Sequence, residues 1–384
     1  MPEIYLDNSA TTKPYPEVVN KIATVLTEYY GNPSSLHRLG RESKKEMEQA
    51  RKIIADSLGV HPEEIYFTSG GTEADNLAIK GACLANGHLG NKIVTTTVEH
   101  AAVTKTIRDL KRQGWKVEYI PAPFGKLDLK AMEKAIDERT VLVSVMLVNN
   151  ETGSIFPVSE VKGIIAKKNS PALLHCDAVQ GYGKMKFTAG GLGVDLLSIS
   201  AHKIHGPKGI GALYVKKGTK MFSLNLGGGQ ERGLRSGTES TPLIAGFGEA
   251  VKITFSNLEE KIAHIKNLRD CCLHKLAEQL PGSVINSPIS GAPHIINLSL
   301  PGLKNREVLQ FLDSQGIYIS TAAACKSNHR RGPSVLESFG LSRELAGSAL
   351  RISFSHMNTK NDVEALVSSL TEYCRQHAPE LLGK

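Results

Sequence analysis

The stretch Leu-Leu-Ser-Ile-Ser-Ala-His-Lys-Ile-His-Gly-Pro-Lys-Gly, residues 196–209, decides the fold. Its first five residues are apolar or small and predict a strand, Leu196–Ser200, which stops where polar residues and glycine begin. Lys203 follows this strand end, at the edge of a parallel sheet where α/β proteins build their sites. An isolated lysine in a turn is more often simply solvated. Here Ser200 and His202, which are both able to donate to a phosphate, favour a functional lysine.

The segment from about 15 to 250 alternates short apolar runs with amphipathic stretches that are mostly long enough to hold helices. This alternation is typical of βαβ units and therefore of a largely parallel sheet. The predicted strands are Ile65–Thr68, Ile93–Thr96, Val117–Ile120, Val141–Leu147, Leu173–Cys176, Leu196–Ser200 and Ala212–Val215.

After Pro242 the pattern changes, because apolar residues from Leu258 to Leu280 recur every three or four positions and predict one helix face. Beyond it lie strand-like His294–Leu300, amphipathic Arg306–Ser314 and strand-like Ile317–Ser320. We predict an α/β protein with a large domain over 15–250, built on a mainly parallel seven-stranded sheet. A smaller α+β domain would combine 1–14 with 251–384.

The composition excludes several classes of protein. The net charge is +8 over 384 residues, and the basic residues are scattered, which argues against direct binding of nucleic acid. The apolar runs fall short of a membrane span. The six cysteines form no Cys-x-x-Cys pair, and residues 1–7 do not resemble a secretory signal. We therefore expect a cytoplasmic protein that is not bound to a membrane.

Two further strand ends carry polar groups. Asp177 follows the predicted strand Leu173–Cys176, and Gln180 comes three residues later. An aspartate here often only caps a turn, but a buried carboxylate also suits a protonated pyridine ring. Gly71 and Thr72 follow another strand and precede a predicted helix, whose N-terminal N–H groups favour a phosphate. This stretch is neither a P-loop nor a dinucleotide fingerprint.

Taken in order, these stretches resemble the fold-type I pyridoxal-5′-phosphate (PLP) enzymes of the class V aminotransferase superfamily. More narrowly, the chain is similar to cysteine desulfurases of the NifS/IscS type. The matching stretches are Tyr5 to Thr12, Gly31 to His37, Glu99-His100, Asn149 to Gly153, Asp177 to Gln180, Ser200 to Lys203, Gly227 to Thr238 and Ala324-Cys325.

The resemblance implies a role for each matching residue. Lys203 would hold PLP as a Schiff base and later move the Cα proton, and Asp177 would pair with the pyridine nitrogen. Thr238 would reach the phosphate of the other subunit, which implies a homodimer with shared active sites. No metal is expected. The other implied roles are His100 stacking on the ring and transferring protons, Gln180 bonding the ring oxygen, Gly71, Thr72, Ser200 and His202 binding the phosphate, Asn150 contacting cofactor and substrate, and Arg351 binding the substrate carboxylate.

Cys325 decides which reaction the resemblance implies. It lies in a predicted loop of small residues, with Lys326 and further basic residues after it, and nearby positive charge favours a thiolate. As a NifS/IscS-type residue it would take sulfur from L-cysteine, leaving L-alanine, and pass it to an acceptor protein. The loop departs from the family pattern at Ala322-Ala323, at Lys326 and at Ser334, where a His or Tyr is common.

Alternatives remain open from the sequence. Another class V PLP reaction, such as that of a selenocysteine lyase or an aminotransferase, uses the same scaffold, although a transaminase does not need Cys325. A non-catalytic scaffold protein is disfavoured by the intact Lys203, Asp177 and Arg351. The expected users of the sulfur are iron–sulfur cluster assembly or the thiolation of tRNA and cofactors.

Overall fold

The computed structural model describes residues 3–321 and 334–383. The strands are β1 Ile4–Tyr5, β2 Ile65–Thr68, β3 Lys92–Thr96, β4 Lys116–Ile120, β5 Thr140–Ser144, β6 Leu173–Asp177, β7 Leu196–Ser200, β8 Gly211–Val215, β9 Val284–Ile285, β10 Ile295–Ser299, β11 Ile317–Tyr318, β12 Ser320–Thr321 and β13 Ala349–Ser353. The helices are α1 Pro16–Glu28, α2 Arg38–Leu58, α3 Gly71–Asn86, α4 Ala101–Arg112, α5 Leu129–Ala135, α6 Val158–Lys167, α7 Ala189–Leu192, α8 Thr241–Ser256, α9 Leu258–Gln279, α10 Asn305–Ser314, α11 Val335–Phe339, α12 Arg343–Gly347 and α13 Lys360–His377.

The large sheet has seven strands, the number that the sequence predicts, and their order is β2-β8-β7-β6-β5-β3-β4. The strands pair in parallel except that β8 runs antiparallel to both its neighbours. The main difference in bounds is that the predicted Val141–Leu147 ends as a strand at Ser144. Helix α3 packs across β5, β6, β7 and β8, and its first residue, Gly71, lies against Val179 and Ser200 at the carboxyl ends of β6 and β7.

The parallel pairing of β6 and β7 brings two predicted site residues to one edge. Asp177 at the end of β6 is in register with Ser198, two residues before the end of β7. Both strands are buried along nearly their whole length, because helices cover the sheet. Asp177 and the segment that carries Lys203 therefore leave the sheet side by side.

A second sheet, in the order β12-β13-β10-β9, has its own apolar core with α9, α10 and α13. Strand β13 lies inside this sheet, between β12 and β10, so Arg351 is not a charged residue on an edge strand. The predicted run Ile317–Ser320 divides between two sheets, since β11 pairs with β1 and β12 pairs with β13. In the part of the chain that the structure describes, no helix is long and apolar enough to cross a membrane.

Residues 4–12 form an arm that links the two sheets. Strand β1 pairs in parallel with β11, and the Ser9 N–H donates to Ser353 Oγ at 2.8 Å. Farther on, the Thr12 N–H donates to the His202 carbonyl at 3.0 Å. The arm therefore runs from the small sheet to the turn that carries Lys203.

The Gly-Gly-Gly-Gln-Glu-Arg-Gly run is held by a buried ion pair. Glu231 has a φ of 47°, and both its carboxylate oxygens accept from Arg51, at 2.7 and 2.9 Å. Glu231 Oε2 also accepts from the Phe67 N–H at 2.8 Å. The ion pair thus holds this loop against α2 and β2, so the run at residues 227–233 has a structural role as well as the role that the resemblance implies.

Arg51→Met is expected to lower the free energy of unfolding by about 3–5 kcal/mol, because it leaves the buried Glu231 carboxylate without its counter-charge. Urea unfolding followed by circular dichroism measures the loss. Lys52→Met is the control, since Lys52 forms an exposed pair with Asp56 on the same helix. Equal urea midpoints for Arg51→Met and the wild type would show that the ion pair does not hold the loop.

Candidate active site

Lys203 lies in a short 3-10 turn directly after β7, facing the N-terminal arm. Its Nζ donates to the Ser9 carbonyl at 2.6 Å and to the Ala10 carbonyl at 2.8 Å. Burial and the neighbouring charge of Arg351 lower the pKa of Lys203 to about 8. A larger share of this amine is therefore neutral and nucleophilic near neutral pH than for an ordinary lysine.

Asp177 is buried at the end of β6 and meets His100, the N-cap residue of α4. Ligand atoms of Asp177, His100 and Asp75 lie within 4.8 Å of one another. His100 Nδ1 accepts from the Ala102 N–H at 3.2 Å, so the proton of the neutral ring is on Nε2. The absence of a metal stays a prediction, because this group of side chains also has the composition of a metal site.

The pKa values of three acidic side chains, Asp177, Asp75 and Glu99, are raised by their buried surroundings. Burial raises the pKa of Asp177, while the charges of His100 and Lys203 oppose that rise. Burial, followed by the charge of Asp177, raises the pKa of Asp75 well above its usual range, and burial raises that of Glu99 to about 8. Asp75 and Glu99 are therefore better candidates than Asp177 for carboxyl groups that carry a proton. A cation beside Asp177 would offset the repulsion among these acidic groups.

The N-terminus of α3 and the end of β7 form an anion site. Gly71 begins the helix, and a Cβ there would come within 2.8 Å of Val179 Cγ2, so any other residue would require Val179 to move. Thr72 is the next residue and is exposed. Ser200 Oγ is buried and has no hydrogen-bond partner among the described residues. A helix N-terminus beside an unpartnered hydroxyl suits a phosphate.

His202 and Gln180 both contact the arm beside Lys203. His202 Nδ1 lies 3.2 Å from Thr11 Oγ1, and burial lowers the pKa of His202 to about 4, so its ring is neutral. Gln180 Nε2 donates at 2.9 Å to the Ser9 carbonyl, the acceptor that Lys203 also uses. The structure therefore brings Gln180 directly beside the Lys203 amine.

Arg351 is buried on β13 and is 3% exposed. Its Nη1 donates to the Asn150 carbonyl at 2.9 Å, and its Nη2 contacts Asp7 Oδ1 at 2.8 Å. Its Nε is buried with no partner among the described residues. The guanidinium thus keeps an unused donor, as a residue that binds a carboxylate requires.

Two predicted site residues are not brought into this cluster by the described contacts. Thr238 is exposed in the loop after Glu231, and Cys325 lies outside the described residues. Ser334, a departure from the family pattern, is the N-cap of α11: its Oγ accepts from the Glu337 N–H, and its own N–H donates to Glu337. This capping box explains why a serine stands there.

Sequence reasoning missed several buried polar neighbours of the site. Asp75 lies between the buried residues Ala74 and Leu77. The signal that could have identified it in the sequence is a charged residue on the apolar face of a predicted helix. Lys184 and His294 are buried near Lys203 and Arg351. Lys184 lies in an irregular segment, where no periodic pattern marks a residue as buried, whereas His294 begins the predicted run His294–Leu300 and directly precedes β10.

Comparisons with known proteins agree with this arrangement. The aminotransferase class-V family matches residues 4–366. The cysteine desulfurase IscS of Clostridium botulinum is 40% identical over 378 residues, which cover 97% of this chain and 95% of that protein. A solved NifS-like protein superposes with a TM-score of 0.92 at 39% identity and covers 98% of this chain and 100% of its own. The structure of SspA in complex with cysteine has a TM-score of 0.80 at 31% identity, covering 92% and 99%.

The chain therefore belongs to the class V aminotransferase family, and its predicted fold class, PLP fold-type I, is confirmed. Its full-length relatives place it among the cysteine desulfurases of the NifS/IscS type, which are PLP-dependent enzymes. The residues present fit that cofactor, because the buried Asp177 carboxylate suits a protonated ring nitrogen and the unpartnered Ser200 hydroxyl suits a phosphate.

Proposed function

We propose that this enzyme converts L-cysteine to L-alanine and leaves the sulfur on Cys325 as a persulfide. The observation that carries the proposal is Arg351, a buried guanidinium with an unused Nε, whose charge is close enough to lower the pKa of Lys203. An α-amino acid presents a carboxylate next to its amine. Arg351 contacts Asp7, and Lys203 contacts the carbonyls of Ser9 and Ala10 on the same arm, so the two side chains would address these groups together.

We assign the cofactor contacts to residues around the carboxyl edge of the sheet. PLP, when bound, supplies an electron sink for the bonds at the substrate Cα. Lys203 would hold it covalently and, when released, carry a proton at Nζ. The other proposed contacts are Asp177 at the ring nitrogen, His100 against the ring, Gln180 at the ring oxygen, Asn150 beside the ring and the substrate, and Gly71, Thr72, Ser200 and His202 at the phosphate.

The sulfur step needs no external oxidant or reductant. The Cys325 thiolate would attack the substrate sulfur, the bond from that sulfur to the substrate Cβ would break, and its electron pair would leave with the carbon. The carbon then takes up a proton, and L-alanine is released. L-Cysteine and the Cys325 thiol thereby become L-alanine and a Cys325 persulfide, with all atoms retained.

We also propose how the enzyme is organised and used. Two subunits would share their sites, with the exposed Thr238 of each reaching the phosphate of the other, and sedimentation of the holoenzyme tests that arrangement. The separate apolar core of the small sheet supports the division into 15–250 and 1–14 with 251–384, although α8 continues to Ser256 and Ile295 packs in the core of the large sheet. The protein would act in the cytoplasm and pass sulfur to an acceptor protein of cluster assembly or thiolation.

The experiment that tests the function is a single turnover of the wild-type holoenzyme with L-cysteine. Alanine is expected in an amount equal to the enzyme sites, and mass spectrometry should find one added sulfur, about 32 Da, on the peptide that contains Cys325. An adduct on another cysteine would assign the sulfur transfer elsewhere. Alanine with free sulfide and no adduct would favour a lyase of the selenocysteine lyase type.

A further inference from the structure

Lys184 is a buried lysine for which the proposed reaction has no use. It lies in the turn after β6 and is 6% exposed. Within residues 3–321 and 334–383, no carboxylate lies within ion-pair distance of its amine. Burial and the charges of Lys203 and Arg351 lower its pKa well below the usual range. An unpaired amine in this position destabilises the folded state, so stability does not explain why a lysine is present.

The side-chain contact recorded for Lys184 is with Gln180. Its Nζ donates to Gln180 Oε1 at 3.4 Å, and Gln180 Nε2 donates to the Ser9 carbonyl at 2.9 Å. The Ser9 carbonyl also accepts from Lys203 Nζ at 2.6 Å. A continuous chain of hydrogen bonds therefore leads from Lys184 through the Gln180 amide to the acceptor of the Lys203 amine.

The two neighbours of the Gln180 amide have opposite requirements. The Ser9 carbonyl oxygen can only accept, so Nε2 must face Ser9, and Oε1 then faces Lys184 and accepts from its amine. The amide is thereby prevented from rotating by half a turn, which would bring two oxygens together at Ser9. Among the described residues the Ser9 carbonyl is the acceptor found for Nε2, so its second hydrogen remains available to a ligand.

We propose that Lys184 is a positioning residue that fixes the Gln180 amide so that Nε2 donates into the site beside Lys203. The proposal rests on the proposed function, in which Gln180 bonds the ring oxygen of the cofactor. A donor at that oxygen withdraws electron density and makes the nearby nitrogen that joins Lys203 to the cofactor less basic. Loss of Lys184 should therefore raise the pH at which this nitrogen loses its proton.

The test is a pH titration of the absorbance of the holoenzyme in the variants Lys184→Met, Gln180→Met and the double variant. We expect each single variant to raise the midpoint by about 0.5–1 pH unit, the shift that corresponds to one ordinary hydrogen bond. The double variant should match Gln180→Met alone, because Lys184 acts through that side chain. Lys186→Met removes an exposed lysine two residues away and should leave the midpoint unchanged.

Thermal unfolding distinguishes this role from a structural one. Lys184→Met should unfold at the same temperature as the wild type or a higher one, since it removes an unpaired buried amine. A shift in Lys184→Met that persists in full on top of Gln180→Met would show that the charge acts directly and would overturn the proposal. So would an unshifted midpoint in Lys184→Met beside a shifted one in Gln180→Met. No shift in Gln180→Met would instead overturn the proposed role of Gln180.

Discussion

Lys203→Ala is expected to abolish the absorbance band of lysine-bound PLP and to lower the rate of alanine formation by at least about 10³-fold. The loss is large because one amine would do two tasks, holding the cofactor and carrying the proton. The arm carbonyls of Ser9 and Ala10 orient that amine, and burial keeps a larger share of it neutral than in an ordinary lysine. An alanine side chain supplies neither the covalent link nor the base.

Borohydride reduction makes this prediction independent of activity. In the wild type the reduced cofactor should remain on the peptide that contains Lys203, and in Lys203→Ala no peptide should carry it. Lys208→Ala is the matched control, because Lys208 is an exposed lysine of the same stretch. A labelled peptide that survives in Lys203→Ala would mean that another lysine holds the cofactor.

Cys325→Ser is expected to lower alanine formation by a factor on the order of 10³ or more, because a serine hydroxyl is almost undissociated at neutral pH whereas a few per cent of a free thiol is thiolate. The substitution should leave cofactor binding unchanged, since Lys203 and Asp177 do not depend on the thiol. Absorbance changes on adding L-cysteine should therefore persist while the product disappears. This combination separates a desulfurase from other enzymes of the class V scaffold.

The position of Cys325 in the chain supports a role at this site. Strand β12 pairs with β13 so that Ser320 lies opposite Arg351. Cys325 follows Thr321 by four residues, which span at most about 14 Å. Cys271→Ser is the control, because Cys271 is a partly exposed thiol on α9. Wild-type alanine formation by Cys325→Ser would refute the persulfide step, and a lyase or aminotransferase would become the leading alternative.

The large sheet could be predicted from the sequence because its central strands are buried by helices and most of its strands are rich in Val, Ile and Leu. All seven predicted strands are present, and Ile65–Thr68 and Leu196–Ser200 have their predicted bounds. The smaller sheets were predicted less well. Strand β1, which pairs with β11, and strand β9, which pairs with β10, have two residues each. That is too short for a periodic pattern, and their pairing depends on distant partners.

The site also contains residues that could be predicted from the sequence and contacts that could not. Lys203 and Asp177 were predictable because each follows a buried strand, and parallel strands present their ends at one edge. The contact of Arg351 with Asp7 and the bond from Lys184 to Gln180 were not predictable. These contacts depend on the tertiary packing of the arm and of an irregular turn. The local sequence around each residue does not determine that packing.

The arm of residues 4–12 has a consequence for the order of events during synthesis. The Ser9 backbone, whose carbonyl receives the Lys203 amine, is held by Ser353, which lies 344 residues later. At about 5–20 residues per second, a ribosome takes roughly 17–70 s to make the chain between them. The large sheet can be complete in the nascent polypeptide well before this anchor exists. Capture of the vitamin-derived cofactor in its final setting is therefore a late event in the biogenesis of the enzyme.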